Sequence, residues 1–513
     1  MGYFFRVNWE FHLALLFVNI ANLIFSKDRL LETSKQFLQE VRLLDLSFKI
    51  LLGIVAILII SQCSSLPYII DNETYYIQSI KWLNEYGFVK GLANLHPFLA
   101  QMSGWHIAQS AFTFSFLNIP FNDLSGFCLL VGNVFSITKL NAYFKNKNRL
   151  YLTVGLLPVA NVFLFQFINA PSPDLPVYII TLIIIFIFIE NFKNASASIF
   201  KVLALLAVFS FYIKPTSVLL LLFPLIYFII HIRVLRYEIL YVVSFGSLII
   251  LTFIIKNCLT SGYPLFPFTG FAINTDYTLP TELANFYVDL TRRYAFHLSS
   301  PEFSDISEWQ LFFHWLMLPG LHGIFNKISI ALLIVAPIFI YRFYNKKSVW
   351  IVYAAMCLQM ICLYATSPQY RFFFNFILVF GFLFAALVFN HKRLIFPLLF
   401  LSTMLTAVTI FIPVNLSPLS KNKLMVENST LSLSNVIFPA ENSKTENKYI
   451  QEQQGSLIYY SQDNSSIFWI TGNAPLPAVS REQLEYIKER YGYIPQLRGK
   501  SLNDGFYSKR VAE

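Results

Sequence analysis

Long apolar runs recur along most of this 513-residue chain. A helix needs roughly 17–25 mainly apolar residues to cross a bilayer. Eleven runs approach or reach that length: about 50–66, 121–139, 150–168, 174–192, 197–213, 215–232, 238–256, 327–344, 349–366, 371–389 and 393–414. Hydrophobic residues make up 56% of the chain and charged residues only 13%, and one globular core cannot bury that much apolar surface. The sequence therefore predicts an all-α, polytopic bundle of about 11–12 membrane-spanning helices.

A further apolar stretch lies near the N-terminus, at residues 11–25. It is shorter than the others and carries three polar side chains, His12, Asn19 and Asn22. It lacks the positively charged residues before the apolar stretch and the small-residue cleavage site after it that are typical of a cleavable signal peptide. We therefore expect either a weak first span or an interfacial helix there.

Lysine and arginine residues concentrate in the connections on one side of these runs. The groups fall at 27–49, 139–149, 193–201, 233–236, 342–347 and 392–393. If each run crosses once, all of them share one side, which the positive-inside rule identifies as cytoplasmic. This distribution accounts for the net charge of +10, so we predict no nucleic-acid partner. None of the five cysteines forms a CxxC pair, and this predicts neither a disulfide framework nor a metal site.

The opposite, extracytoplasmic side then receives two long loops, at 67–120 and 256–326, and a polar tail at 416–513. Residues 1–415 would form the membrane domain. We expect one interfacial helix at 106–120 and a second at 307–318, where Trp309 and Trp315 would mark headgroup depth. The tail is predicted to be a small extension, partly ordered around residues 457–496.

Ionisable residues stand at the extracytoplasmic ends of five separate segments. Charges at membrane depth are costly, so each of them needs a partner or a purpose. Five occur in the first loop and four in later segments: Asp71, Glu73, Lys81, His96 and His106, then Asp174, Lys214, Lys256 and Arg371. The alternation of the spans places all of them at one level of the membrane.

This set of residue types fits a lipid-linked phosphate substrate. Lysine and arginine can clamp phosphate oxygens. A carboxylate can take the proton of an attacking hydroxyl, or it can hold a divalent metal ion. Each residue also has a structural alternative: Asp71 and Asp174 as helix caps, Lys214 and Lys256 as interfacial anchors, and His96 and His106 as packing residues or, with Asp71, a metal site.

Motifs of soluble enzymes are missing from the chain. It contains no P-loop, no GxGxxG opening a helix, no HExxH and no GxSxG. Their absence weighs against ATP-driven transport and against a cytosolic nucleotide-sugar enzyme.

The first loop and four short links resemble a known superfamily. Residues 71–96 read D-x-x-x-Y-Y-x-x-x-x-K-W-x-x-E-Y-G-x-V-x-G-L-x-N-L-H, and the links are SPDLP at 172–176, KPTS at 214–217, SGYPLFP at 261–267 and SPQYRF at 367–372. In this order they are similar to the GT-C superfamily of membrane glycosyltransferases, and to a bacterial GT-C-like family whose members are mostly uncharacterised.

The resemblance implies a sugar donor on polyprenyl phosphate or diphosphate, a lipid or glycan acceptor, and transfer at the outer face of the bacterial inner membrane. It implies an essential acid at Asp71, with Asp174 as a second catalytic candidate. The substrate-binding candidates are Arg371, Lys214, Lys256, His96, His106, Lys81, Tyr75 and Asn94. Many GT-C enzymes have two adjacent acids in the first loop, where this chain has Asp71-Asn72-Glu73. The sequence therefore specifies no cofactor, and a divalent metal ion, Mg²⁺ or Mn²⁺, at Asp71 and Glu73 stays an open alternative.

Three other functions remain open at this point. The first is a transporter or flippase of a lipid-linked saccharide, which would need polar groups deep inside several spans. The second is a saccharide polymerase or ligase with a large outer loop. The third is a non-catalytic assembly protein.

Overall fold

The structure is a computed structural model that describes residues 2–67, 69–117, 122–419, 424, 428–437, 442–445, 448–463 and 468–511. Helices dominate it, and this confirms the predicted all-α fold class. The longer α-helices are Trp9–Arg42, Leu46–Cys63, Ile77–Glu85, Gly104–Phe112, Leu124–Asn146, Arg149–Gly155, Asp174–Glu190, Ala197–Ile213, Leu222–Ile230, Ile239–Ser261, Thr281–Phe296, Ser300–Asp305, Glu308–Leu316, Gly320–Phe339, Lys347–Thr366, Tyr370–Val388, Lys392–Phe411 and Arg481–Tyr491.

The protein is a multi-pass membrane protein by the length and composition of its helices. Within the described residues, nine helical stretches are long and apolar enough to cross a bilayer: Trp9–Arg42, Leu46–Cys63, Leu124–Asn146, Arg149–Phe167, Ile232–Ser261, Gly320–Tyr344, Lys347–Thr366, Tyr370–Val388 and Lys392–Phe411. Three shorter apolar stretches, Asp174–Glu190, Ala197–Ile213 and Pro215–Ile230, connect the same two ends and bring the described passages to twelve. We call the end that carries the loop 64–123 the site end, and the other the basic end.

The N-terminal helix is longer than the sequence predicts. One helix runs from Trp9 to Arg42, with a kink at Ser26 (φ −129°, ψ 17°), and none of its residues is buried. At about 1.5 Å per residue its length is about 51 Å, well beyond the roughly 30 Å of a hydrocarbon core. The apolar stretch 11–25 is thus only the first half of a helix that continues through the basic residues after the kink.

Residues before this helix fasten it to the first loop. The Val7 amide donates to the Leu83 carbonyl at 2.8 Å, and the Phe88 amide donates to the Gly2 carbonyl at 2.9 Å. Asn8 caps the helix by accepting a hydrogen bond from the Trp9 amide. The N-terminal residues therefore lie at the site end.

Apolar side chains of the spans form one large core. Its most buried aromatic residues include Phe48, Phe188, Phe223, Phe376 and Phe380. Between the helices, buried amides pair with each other: Asn133 and Asn161 exchange two hydrogen bonds, of 3.2 and 3.0 Å. Satisfied amide pairs of this kind hold helices together inside a membrane.

Both loops at the site end are packed against the rest of the protein. Each contains a helix within or overlapping a segment that the sequence predicts to be interfacial. The first predicted interfacial helix corresponds to Gly104–Phe112, which Ser103 caps; residues 118–121 lie outside the described residues. The second corresponds to Glu308–Leu316. Trp309 is 76% exposed, whereas Trp315 is only 3% exposed and donates to the Pro368 carbonyl. Trp315 is therefore a core residue, and its predicted place at headgroup depth stays a prediction.

The C-terminal module, residues 442–511, contains the only strands among the described residues, and the sequence analysis did not predict them. Strand β1 (Tyr449–Gln454) pairs antiparallel with β2 (Leu457–Gln462), and β3 (Tyr493–Leu497) pairs antiparallel with β4 (Phe506–Arg510). Gly455 occupies the first tight turn with φ +64°, a conformation that glycine adopts without strain. The helix Arg481–Tyr491 lies between the two hairpins in sequence.

The C-terminal module docks on the first loop through a shared core. Trp82 and Leu92 of the loop pack with Leu457, Val479 and Phe506 of the module. The Phe506 amide donates to the Lys90 carbonyl at 3.0 Å. The backbones approach so closely that a Cβ atom on Gly91 would meet the Phe506 carbonyl, and one on Gly505 would meet the Lys90 carbonyl.

Candidate functional site

Four charged side chains from four separate segments meet at the site end. Asp71 immediately precedes a π-helical turn, Asn72–Tyr76, and such turns are frequent at functional sites. Asp174 is the first residue of a buried helix, Lys214 follows the end of the next helix, and Arg371 lies in the first turn of Tyr370–Val388. Elements up to 300 residues apart in sequence thus build this cluster.

Ion pairs connect the four residues in a chain. Arg371 donates through Nη1 to the Asp71 carboxylate, and the same nitrogen lies 3.9 Å from Oδ2 of Asp174. Lys214 donates to the other oxygen of Asp174. Two carboxylates therefore face two cations, and the cluster has no net charge.

Neutral side chains fix the positions of Arg371 and Asp71. The Arg371 Nε donates to Oε1 of Gln369 at 2.9 Å, and the Tyr178 hydroxyl donates to the Arg371 carbonyl. The Tyr76 hydroxyl donates to Oδ2 of Asp71 at 3.3 Å. Sequence reasoning missed Tyr76, Tyr178 and Gln369; Gln369 stands inside the SPQYRF link and could have been found there.

The four side chains differ in their access to the surroundings. The side chains of Asp71, Lys214 and Arg371 are 15%, 17% and 21% exposed, whereas that of Asp174 is 2% exposed. Asp174 is thus the most buried of the four residues, and it contacts both cations from the interior of the protein. The other three side chains are partly exposed.

Aromatic rings surround the cluster on the side of the first loop. Tyr75 stacks on Phe98, with ring centroids 5.1 Å apart, and packs edge to face against Tyr76. The Tyr76 ring lies 4.6 Å from that of His106. The Lys214 ammonium lies over the Phe372 ring, 3.9 Å from its centroid. Tyr75 and His106 therefore pack against Tyr76, which donates to Asp71, and their substrate-binding roles stay predictions.

His106 and Lys256 form a buried pair of basic groups behind Tyr76. The Lys256 ammonium donates to the Met102 carbonyl at 2.7 Å. Burial and, to a smaller extent, the neighbouring Lys256 together lower the pKa of His106 to about 3. His106 is therefore neutral near pH 7. Its Nδ1 accepts a hydrogen bond from the Ser103 amide, while its buried Nε2 has no partner within the described residues.

Two predicted site residues, Glu73 and Lys81, bind the C-terminal module instead of the cluster. The Glu73 carboxylate accepts hydrogen bonds from the Ser443 hydroxyl (2.5 Å), the Lys444 amide (3.0 Å) and the Thr445 hydroxyl (3.2 Å). The Lys81 ammonium donates to the Asn473 and Ala474 carbonyls. Burial raises the pKa of Glu73, and these donors oppose the rise.

Asn94 and His96 also serve contacts between elements. The Asn94 side chain donates to the Tyr277 carbonyl at 2.7 Å and accepts from the Ser508 hydroxyl, so it joins both loops to the module. His96 accepts from the Phe98 amide, and its ring lies 5.2 Å from that of Trp469. Burial lowers the pKa of His96 to about 3. Among the described residues, Lys81, Asn94 and His96 make structural contacts away from the charged cluster, and their substrate-binding roles stay predictions.

The open structural alternatives for the charged residues are resolved by their contacts. Asp71 makes no side-chain capping bond, Asp174 pairs with cations, and Lys214 and Lys256 point to protein partners rather than to the interface. The Glu73 carboxylate accepts hydrogen bonds from the module, whereas Asp71 pairs with Arg371. Within the described residues, no three His, Cys, Asp or Glu side chains are grouped to hold a metal ion.

The comparisons with known proteins place the chain in a family. Residues 1–378, about three quarters of the chain, match the family model described as "Domain of unknown function (DUF8201)". The chain belongs to the DUF8201 family. In this DUF8201 protein the matched part contains Asp71, Asp174, Lys214 and Arg371, whereas the C-terminal module lies beyond it. A search of curated proteins finds no match to this DUF8201 chain.

Proposed function

We propose that this protein is a membrane glycosyltransferase that moves a sugar from a polyprenyl-phosphate-linked donor to a lipid or glycan acceptor. The observation that carries the proposal is the cluster of Asp71, Arg371, Lys214 and Asp174 at the ends of membrane helices. A lipid-linked phosphate lies at this boundary between hydrocarbon and water. The GT-C resemblance of the first loop supports the same assignment.

The two accessible cations suit the phosphate of such a donor. Arginine presents parallel N–H groups to phosphate oxygens, and lysine adds a point charge. When the bond between the anomeric carbon and the phosphate oxygen breaks, Arg371 and Lys214 would stabilise the charge left on the lipid phosphate. Asp174, buried between them, would act as a positioning residue that keeps both cations in place.

Asp71 is the proposed general base. As the acceptor oxygen bonds to the anomeric carbon, its proton would pass to the Asp71 carboxylate. Donor phosphate would compete with Asp71 for Arg371, which would leave that carboxylate free for the acceptor hydroxyl. Tyr76 would hold Asp71 in place through its hydrogen bond.

The positive-inside rule supports an orientation for this reaction. Lys and Arg concentrate in the turns at the basic end, which would face the cytoplasm. The charged cluster would then face the outside of the bacterial inner membrane, where a polyprenyl-linked donor presents its sugar.

The polar residues inside the bundle favour a transferase over a transporter. A carrier needs polar groups that line a route through the membrane. Here Asn133 and Asn161 satisfy each other within the core, and Asn375 donates to Gln359 and Thr181. These amides form hydrogen bonds within the protein. This is typical of residues that hold helices together rather than of residues that line a transport route.

Sugar transfer in membrane vesicles tests the proposal. Vesicles that contain the protein are supplied with a panel of labelled polyprenyl-phosphate sugars, and transfer to lipid or glycan is measured. Asp71→Asn should reduce the rate by about 10²–10⁴-fold, the usual contribution of a general base. Asp305→Asn, an exposed acid at the same end, should leave the rate unchanged. Full transfer by Asp71→Asn at equal expression would refute the role of Asp71.

A further inference from the structure

A basic cavity of about 310 Å³ lies at the basic end, on the opposite side of the bundle from the charged cluster. Lys147 and Arg149 line it from one turn between spans, and Lys346 lines it from another turn about 200 residues later in the sequence. Because these turns join the ends of membrane helices, the cavity lies at the level of lipid headgroups.

The three cations lining the cavity have no acidic partner. None of the lining residues is an acid, and no ion pair to Lys147, Arg149 or Lys346 occurs within the described residues. Two other cations of the same end do have acidic partners: Lys201 pairs with Glu238 at 2.7 Å and Lys392 with Asp45 at 4.0 Å. The positive-inside rule explains why Lys and Arg are frequent in the turns of this end. It does not explain why three of them without acidic partners line the same cavity.

A long helix adds its N-terminus to this positive field. The 20-residue helix Lys347–Thr366 begins beside the cavity, and its N-cap residue, Lys346, supplies no side-chain cap. The Val349 amide donates to the Lys346 carbonyl at 3.0 Å, and the helix dipole favours an anion at this N-terminus. The helix and the three side chains therefore favour the same kind of ligand.

Apolar residues complete the wall of the cavity. Leu150, Val349 and Leu383 are buried there, and Phe343 is 52% exposed at the membrane-facing surface. A free phosphate ion gains nothing from such a wall. A phospholipid does, since its phosphate can lie among the cations while its acyl chains continue along the apolar side.

We propose that this cavity binds the phosphate of an anionic phospholipid headgroup, at a site separate from the proposed site of sugar transfer. The proposal does not depend on the enzymatic function of the opposite end. It assigns a role to Lys147, Arg149 and Lys346, which the charged cluster does not involve.

Lipid binding to the purified full chain tests this assignment. The protein is prepared in detergent, and retention of phosphatidylglycerol and of zwitterionic phosphatidylcholine is measured by native mass spectrometry. The test variant is the triple Lys147→Asn, Arg149→Gln, Lys346→Gln; Asn is chosen because Lys147 has φ +58°, which Asn tolerates. The control is the triple Lys201→Gln, Arg233→Gln, Arg236→Gln, which removes the same charge from the same end.

The wild-type chain and the control triple should retain phosphatidylglycerol in preference to phosphatidylcholine. The cavity triple should bind it about 100-fold more weakly, the expected loss for three basic contacts to an anionic lipid. Equal loss in the control triple would overturn the site, because the attraction would then belong to the whole surface. Inorganic phosphate that stabilises the protein as much as phosphatidylglycerol does would overturn the lipid assignment in favour of a free ion. The single variant Lys346→Gln, with an expected loss of about fivefold, keeps the test decisive if the triple folds poorly.

Discussion

At the scale of single residues, Arg371 holds the proposed site together. Its guanidinium contacts Asp71 and Gln369 directly and approaches Asp174 within 3.9 Å. A partly buried guanidinium is costly unless its donors are satisfied. The three partners explain why an arginine stands at this end of a span, where the predicted charge bias disfavours one.

Arg371→Lys tests the guanidinium separately from its charge. Lysine keeps the cation but cannot donate to Asp71 and Gln369 from one planar group. We expect the transfer rate at low donor concentration to fall about 10–100-fold, as for loss of a charge-assisted hydrogen bond, chiefly through a higher KM for the donor. Arg342→Lys, at the basic end, serves as the control and should retain wild-type kinetics. An unchanged KM in Arg371→Lys would contradict a phosphate-binding role.

The sequence was sufficient to predict at which end of the bundle these residues lie, but it did not predict all of their contact partners. Alternating spans place the residues after 70, 173, 213 and 370 at one end, and there Asp71, Asp174, Lys214 and Arg371 meet. Glu73, Lys81 and Asn94 share the first-loop pattern, yet their partners lie in the C-terminal module. Nothing local distinguishes a polar residue that binds substrate from one that binds a segment 370 residues away.

At the scale of elements, hydropathy predicted the existence of the helices better than it predicted the residues at which they begin and end. The helix Trp9–Arg42 continues beyond its apolar half because the residues after Ser26 still have good helix propensity, although they are polar. In the C-terminal module, the turn at Gly455 lies between alternating residues and is typical of a hairpin. That signal was present in the sequence, whereas the docking of the hairpin on the first loop depends on tertiary contacts.

Docking of strand β4 can be tested at Gly505. Gly505 and Gly492 both have positive φ, +90° and +70°, but only at Gly505 would an added Cβ meet backbone, the Lys90 carbonyl. Gly492→Ala should therefore cost only the conformational strain, about 1 kcal/mol. Gly505→Ala should also separate the module from the loop and speed tryptic cleavage within residues 442–511. Equal cleavage of the two variants would argue against close docking.

At the scale of the whole molecule, both terminal regions lie at the site end. Residues 2–12 contact the first loop, and the C-terminal module packs against the same loop. Between these two regions the described helices pass twelve times between the two ends of the bundle, and this even number agrees with their common location at the site end.

Labelling of introduced cysteines tests this arrangement. Phe5→Cys and Lys500→Cys place exposed thiols near the two termini, and Lys193→Cys places one at the basic end. In intact cells stripped of any outer barrier, a membrane-impermeant maleimide should label the first two, and the third only after permeabilisation. The parent chain, with its own five cysteines, gives the background. Labelling of Lys193→Cys before permeabilisation would reverse the proposed orientation.

The hydrogen bonds to Glu73 have a consequence for the order of events during synthesis. Ser443 and Thr445 leave the ribosome 370 or more residues after Glu73, which is roughly 20–75 s later at ~5–20 residues per second. Until then the buried carboxylate two positions from Asp71 lacks most of its donors. In a nascent polypeptide already threaded through the bilayer, the contact between the first loop and the C-terminal module can therefore form only after residues 443–445 have been made.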